Sequence, residues 1–228
     1  MVLPTCESVE EARRRLVELL KLQGVIVSED VERAMLRVPR EEFVLPEYRD
    51  EAYEDHPLPI LEGQTISAPH MCAIMCEAAE IRRGDSVLEI GTGSGYHAAL
   101  CAEIVSPTGE PVEGLVVTVE VVKRLAFFAR ENLKRTGYYD RVHVIVADGS
   151  TGAPVRSAFD RILVTAAAPK VPPPLLEQLK EGGILVIPVG PRWQQLLVKL
   201  KREKEGVARE PITYCVFVAL RGRYGYER

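Results

Sequence analysis

The chain has 228 residues, 46% of them hydrophobic, enough to bury one substantial core but cramped for two full domains. Lys and Arg total 29 against 33 Asp and Glu, a net charge of -4, which argues against a broad nucleic-acid footprint. No stretch approaches the ~20 apolar residues of a membrane span, and MVLPTCESVEEARRR lacks the apolar centre of a secretory signal, so a cytoplasmic location is expected.

In chain order, Ser8 followed by Glu11 forms a capping-box pattern, and Ser28 with Glu29 and Asp30 opens a second helix that Pro39 ends. Arg13, Arg14 and Arg15 lie among Glu7, Glu10, Glu11 and Glu18 and read as a solvated helix face. Residues 38–68, with Pro39, Pro46, Pro57, Pro59 and Gly63, read as a long structured loop. A helix entered at Pro69 carries Ile74, Met75, Ala78 and Ala79 on its apolar face.

Strands and helices then alternate: strand 86–90, helix 96–105, strand 115–120, helix 121–136, strands 142–147 and 160–165, helix 173–180 and strand 183–189. This spacing predicts a doubly wound, mainly parallel α/β sheet. WQQLLVKLK and ITYCVFVAL, around a turn at Lys204, Glu205 and Gly206, read as two antiparallel strands on its edge. The chain divides into a helical and substrate-loop region (1–82), a cofactor core (83–190) and the C-terminal strands (191–228) of one domain.

VLEIGTGSGYHAAL, residues 87–100, runs from an apolar strand through Glu89 into Gly91, Gly93 and Gly95, with Thr92 and Ser94 between them. Such a loop lets the backbone approach a ligand, and the helix after it offers free amides. A dinucleotide fingerprint would need glycine at 96, where Tyr96 stands. The E-x-G-x-G-x-G spacing resembles instead the first motif of class I S-adenosylmethionine-dependent methyltransferases. Acids end three strands: Glu89 suits the cofactor's amino-acid end, Glu120, followed by Val121, both ribose hydroxyls, and Asp148 the adenine amine, with a backbone donor near Gly149. Each alone reads more readily as a helix cap or a solvated turn, but three in register with the glycine loop point to the cofactor. In GQTISAPHM, residues 63–71, Thr65 and Ser67 offer hydroxyls, and Ser67 reads either as a site residue or as the cap of the next helix.

Together AYEDHPLPI, GQTISAPHM, VLEIGTGSGY, VADGSTG, FDRILVTAAAP and LLEQLKEGGILVIPVG resemble, in order, segments of the protein-L-isoaspartate O-methyltransferases, over roughly residues 28–220. The resemblance implies a seven-stranded class I methyltransferase sheet and a monomer that uses S-adenosyl-L-methionine, releases S-adenosyl-L-homocysteine, and methylates the free carboxylate of isoaspartyl residues in damaged peptides and proteins. It places Ser67 at the active-site serine and Thr65, Ile66, Ala68 and His70 beside peptide and cofactor. Two departures stand out: SPTGEPVEG is longer than the usual connection, and Ala219 stands where the family commonly has proline, which bears on substrate contacts.

Other chemistries fail on particular residues. No tyrosine has lysine four residues on, as a short-chain dehydrogenase needs. Ser94 lacks the flanking glycines of a hydrolase elbow, and TAAAP stands where an adenine N6-methyltransferase carries Asn/Asp-Pro-Pro-aromatic. The alternatives are a methyltransferase acting on transfer RNA and a cofactor-fold binding module. Five cysteines, Cys6, Cys72, Cys76, Cys101 and Cys215, without a C-x-x-C pair argue against a disulfide framework. His70, Cys72 and Cys76 form a conceivable metal grouping, but no fourth ligand is apparent and small buried side chains on a helix face are the simpler reading.

Overall fold

The computed structural model describes residues 8–227. Cys6, with residues 1–7 of the segment read for a secretory signal, lies outside those residues. Helix α1 (Val9–Leu22) begins at the full Ser8–Glu11 capping box, and α2 (Glu29–Arg37) begins where Ser28 accepts from Val31 N. Two 3-10 turns, Arg40–Glu42 and Pro46–Glu51, follow.

The expected loop contains a small hairpin. β1 (Leu58–Pro59) pairs antiparallel with β2 (Thr65–Ile66), and Leu61–Gly63 closes it with Glu62 at φ 60°. Two-residue strands carry no periodicity that a sequence reading can detect.

Next come α3 (Pro69–Ala79), β3 (Ser86–Ile90), α4 (Tyr96–Val105), β4 (Leu115–Glu120), α5 (Lys123–Thr136) and β5 (Val142–Val146). β6 (Phe159–Val164), α6 (Pro173–Glu177), β7 (Leu179–Val189), β8 (Gln195–Glu203) and β9 (Gly206–Cys215) complete the chain. The sheet order is β5-β4-β3-β6-β7-β8-β9, parallel through β7 and antiparallel in β8 and β9. This is the expected seven-stranded sheet with an antiparallel edge. Strand order reverses at β3, so a crevice opens beyond the C-terminal ends of β3, β4 and β6.

Several boundaries differ from expectation: β5 ends one residue early, β6 is shifted by one, and β7 starts at 179. β8 and β9 span Gln195–Glu203 and Gly206–Cys215 where 193–201 and 212–220 were expected. The shifts at α5 and α6 have a visible cause. α5 begins at 123 because Val122 is held as its N-cap, with its amide donated to the Glu120 carboxylate. α6 stops at 177 because the chain from Gln178 pairs with β6: Phe159 N donates to Gln178 O, and Leu179 lies opposite Phe159. The register then jumps, with Ile184 opposite Arg161, and the bulge takes up Lys180, Glu181, Gly182 and Gly183. A β carbon on Gly183 would lie 2.8 Å from Lys180 O and 2.9 Å from Asp160 O, so this fold-back admits only glycine.

The sheet's faces are unequally covered. Val87, Val116, Val142 and Leu163 pack under α3, α4 and α5, whereas Leu88, Ile90, Ile162 and Leu185 meet the short α6, Ala153 and the returning segment at Leu220. All ten residues of α4 are buried, because α2 covers its outer side: Tyr96 Oη lies 3.7 Å from Met35 Sδ, and Arg33 reaches Glu103 O. The segment 106–114 forms an exposed loop at the far end of the sheet, fastened where Ser106 Oγ accepts from Glu113 N and Gly114 N.

At that same end Asp160 accepts from Ser86 N (2.9 Å), Ser86 Oγ (2.7 Å) and Lys180 Nζ (2.8 Å), tying β6 to β3 and β7. Partial burial opposes its ionisation, but the bonds from Lys180 and Ser86 outweigh that and hold its pKa down at about 2. A carboxylate depressed on folding contributes stability above its ordinary value near ~4, and that contribution is lost as pH falls toward 2. Acid unfolding followed by circular dichroism is expected to show this: Asp160→Asn is less stable at neutral pH, and its stability falls less steeply than the parent's between about pH 4 and 2.

Candidate active site

The cleft at the switch point encloses about 810 Å³, the open solvent at its mouth included. The glycine loop between β3 and α4 forms its floor. Gly91 turns at φ 102°, and a β carbon there would lie 2.5 Å from Thr165 Oγ1, which itself donates to Gly91 O. Gly93 also has positive φ (54°), but only Ile60 Cδ1, at 3.6 Å, stands near its missing side chain. Its demand is therefore conformational, and the space beside it belongs to the cleft.

Glu89 is fully buried on the sheet face that carries Val87. Thr118 Oγ1 donates to its Oε2 at 2.5 Å, so the 2.6 Å contact between Thr92 and Thr118 hydroxyls has Thr92 as donor. The other oxygen, Oε1, has no hydrogen bond and lies 3.3 Å from His97 Nδ1. Burial alone would favour a neutral imidazole; the Glu89 carboxylate beside it opposes this and pushes the His97 pKa up. An imidazolium thus faces a carboxylate that also lines the cleft. A cationic ligand group would suit its unpartnered oxygen.

Glu120, 6% exposed, accepts from Gly93 N (3.0 Å) and Val122 N (2.9 Å). It therefore holds the glycine loop in shape as well as facing the cleft. Asp148 is placed differently. Its Oδ1 accepts from Ser150 N and Oγ, its Oδ2 from Arg223 N, and the carboxylate fastens the returning C-terminal segment without lining the cleft. Gly149 does line it, close against Ile90, whose Cγ2 would lie 2.7 Å from a β carbon there.

Of the residues singled out in GQTISAPHM, Thr65, Ile66 and Ser67 line the cleft, while Ala68 and His70 do not. Ser67 is not the cap of α3. The N-cap is Ala68, and Asp55, from the preceding loop, takes the capping role by accepting both His70 N and His70 Nδ1 at 2.9 Å. The Ser67 hydroxyl has no hydrogen bond among the described residues and is half-buried at the cleft wall. Thr92, Gly93, Ser94 and Val121 also line the cleft, and Gly95 instead packs against Ala129 and Leu133 of α5.

The grouping of His70, Cys72 and Cys76 is not assembled, because His70 turns to Asp55. Cys76, His97 and Cys101 converge instead, their ligand atoms within 4.8 Å of one another in the core. The bond from Cys76, together with burial, pushes the Cys101 thiol well above its ordinary pKa and keeps it protonated. Sequence reading gave no role to Tyr96, His97, Thr165, Val218, Leu220 and Arg221, took Cys72 only as a buried thiol or metal candidate, and named Ala219 only as a departure bearing on substrate contacts; all line the cleft. Thr165 follows the end of β6, where the strand-end rule would have found it; the others reach the site by tertiary packing.

A model of the family described as protein-L-isoaspartate(D-aspartate) O-methyltransferase matches residues 11–225. The chain belongs to that family. It is 57% identical to the protein-L-isoaspartate O-methyltransferase of Hyperthermus butylicus over 223 residues, covering 96% of this chain and 92% of the relative. It is 55% identical to that of Staphylothermus marinus over 220 residues, with 96% and 97% covered. Among solved structures, a Plasmodium falciparum protein described as a protein-L-isoaspartate O-methyltransferase in complex with S-adenosyl-L-homocysteine has a TM-score of 0.81 at 30% identity, covering 92% of this chain and 98% of that one. A second protein-L-isoaspartate O-methyltransferase gives 0.83 at 32%, with 93% and 67% covered. This family member is an S-adenosylmethionine-dependent methyltransferase of isoaspartyl residues, acting in protein repair. Among the described residues no helix is long and apolar enough to cross a membrane.

Glu120→Ala removes both backbone bonds and any ligand bond the carboxylate makes. Calorimetric affinity for S-adenosylhomocysteine is expected to fall by about 1.5 to 3 kcal/mol, with some loss of thermal stability because the glycine loop is no longer held.

Proposed function

We propose that this cleft esterifies the free α-carboxylate of an isoaspartyl residue, with Ser67 orienting the attacking oxygen. The observation that carries the reading is the uncommitted Ser67 hydroxyl, lining the same cleft as the buried, half-satisfied Glu89. When bound, S-adenosylmethionine supplies an electrophilic methyl group on a sulfonium, leaving as S-adenosylhomocysteine.

Glu89 would hold the cofactor's ammonium and Glu120 its ribose hydroxyls, while Glu120 keeps Gly93 and Val122 in place. Gly149 would border the adenine, since Asp148 is committed to Ser150 and Arg223. Gly91, Thr92, Ser94 and Val121 complete the cofactor side, Gly95 supports it from behind, and Thr65 and Ile66 border the peptide. Ala68 and His70 act one step back: Asp55 bonds His70, which fixes the start of α3 and hence the Ser67 backbone.

No general base is required. A carboxyl of pKa near ~4 is already ionised at neutral pH, so the site has only to bring its oxygen in line and exclude water. Ser67 donates one hydrogen bond to the oxygen that does not attack, which orients the group without neutralising it. The product ester has a better leaving group, and the neighbouring backbone nitrogen closes a succinimide whose hydrolysis restores some normal aspartyl linkage. Four buried free thiols, Cys72, Cys76, Cys101 and Cys215, support a cytoplasmic setting. The reading includes a monomer working as a single unit.

The test compares an isoaspartyl peptide with its aspartyl isomer and with transfer RNA, using labelled cofactor. The isoaspartyl peptide is expected to accept one methyl group, released as methanol by mild base; equal labelling of the isomers, or preference for RNA, overturns the substrate. Ser67→Ala is expected to lower kcat on the order of tenfold to a hundredfold while cofactor affinity and thermal stability hold. Lowered stability with unchanged kinetics would remove Ser67 from the reaction.

A further inference from the structure

The chain has one tryptophan, Trp193, and it is 79% exposed. It sits in the turn between β7 and β8, two residues ahead of Gln195. Gln195 lies opposite Cys215 in the sheet, and its side chain clamps the turn to the strand beyond: Nε2 donates to Pro191 O, and Oε1 accepts from Phe217 N at 2.8 Å. Trp193 is thereby held beside the segment that runs out of β9.

On that segment Tyr214 is 70% exposed and Val216 72%, and residues two apart in extended chain share a face. Two residues farther on, Val218 accepts from Ala167 N and Leu220 donates to Ala167 O, and Val218–Arg221 become the cleft wall. Large exposed apolar residues scattered singly need no explanation, but here three stand at one sheet edge on a chain leading directly into the active site. Arg192 precedes Trp193 in the chain and Arg221 lies where the segment becomes the cleft wall, so the path from apron to cleft suits a chain that is apolar and anionic and disfavours a cationic one.

We propose that Trp193, Tyr214 and Val216 form an apron on which the isoaspartyl polypeptide lays apolar side chains near its damaged residue, so that the enzyme selects damage in apolar, unfolded segments. The inference rests on the isoaspartyl reading and adds a preference for flanking sequence. An extended chain rises about 3.3 Å per residue, so side chains about two to four positions from the isoaspartate reach the apron. Aromatic side chains are well suited to such contact because they offer large area with few rotatable bonds.

Two tryptophan-free isoaspartyl peptides test it, one with phenylalanine or leucine two to four positions from the isoaspartate and one with alanine there. The apolar peptide is expected to have a KM lower by about fivefold to tenfold at similar kcat, as one partly buried large side chain would give. Trp193→Ala and Val216→Ser, both exposed and outside the cleft, are expected to erase that difference and leave the alanine peptide's kinetics unchanged. Trp193 emission is expected to shift to the blue when the apolar peptide is added to enzyme saturated with S-adenosylhomocysteine. Equal KM for the two peptides, a preference that survives both substitutions, or no emission shift at saturating peptide overturns the apron while leaving isoaspartyl methylation standing. Failure of both isoaspartyl peptides to be methylated overturns the substrate reading and the apron together.

Discussion

The site is organised around one buried carboxylate. Glu89 has no solvent to stabilise it, so its charge must be met inside the protein, and a buried charge persists only when paired and hydrogen-bonded. Thr118 and the His97 imidazolium supply part of that, each drawn from a different element, β4 and α4. The arrangement fixes the glycine loop lying between Glu89 and His97, since the loop must turn back far enough for α4 to present His97 to the strand it has just left. One oxygen remains unsatisfied, and a ligand that satisfies it binds against a site already held in shape, which lowers the cost of ordering on binding.

In the same cleft the chain keeps Ser67 free by satisfying its neighbourhood from elsewhere. A serine just ahead of a helix would ordinarily cap it. Here Asp55 takes that duty from a distance of fifteen residues, and the serine's hydroxyl stays available. The carboxylate at Asp148 shows the reverse: a residue at the end of a strand, apparently positioned for a ligand, spends its lone pairs on the returning chain. Whether a polar side chain serves ligand or scaffold is decided by which donors reach it first.

Much of the fold was legible from the residues. The boundaries of β3, α4 and β4 were read to the residue, because buried strands and a largely apolar helix between a glycine loop and Ser106-Pro107 carry strong local signals. The hairpin of Leu58–Pro59 with Thr65–Ile66 was not, being shorter than any period. The early start of β7 was missed because its glycine bulge resembles a helix end followed by a turn. At the site, the strand-end acids and the hydroxyl loop stood out as residue types in a pattern, whereas Cys72, His97 and the wall at Val218–Arg221 became neighbours only through packing between elements. The substitution of alanine for the family's usual proline at 219 leaves that wall in place: Ala219 forms a parallel bridge with Ala167 and lines the cleft.

The complete burial of α4 also bears on how the molecule assembles. A helix buried on every side, its His97 and Glu103 included, leaves no face to water, so its outer side needs the cover that α2 provides. The contact between Met35 and Tyr96 closes a separation of sixty-one residues, a long loop whose entropy the packing must offset. Substitutions on α2, which never touches the reacting groups, therefore act on the site through the helix that follows the glycine loop.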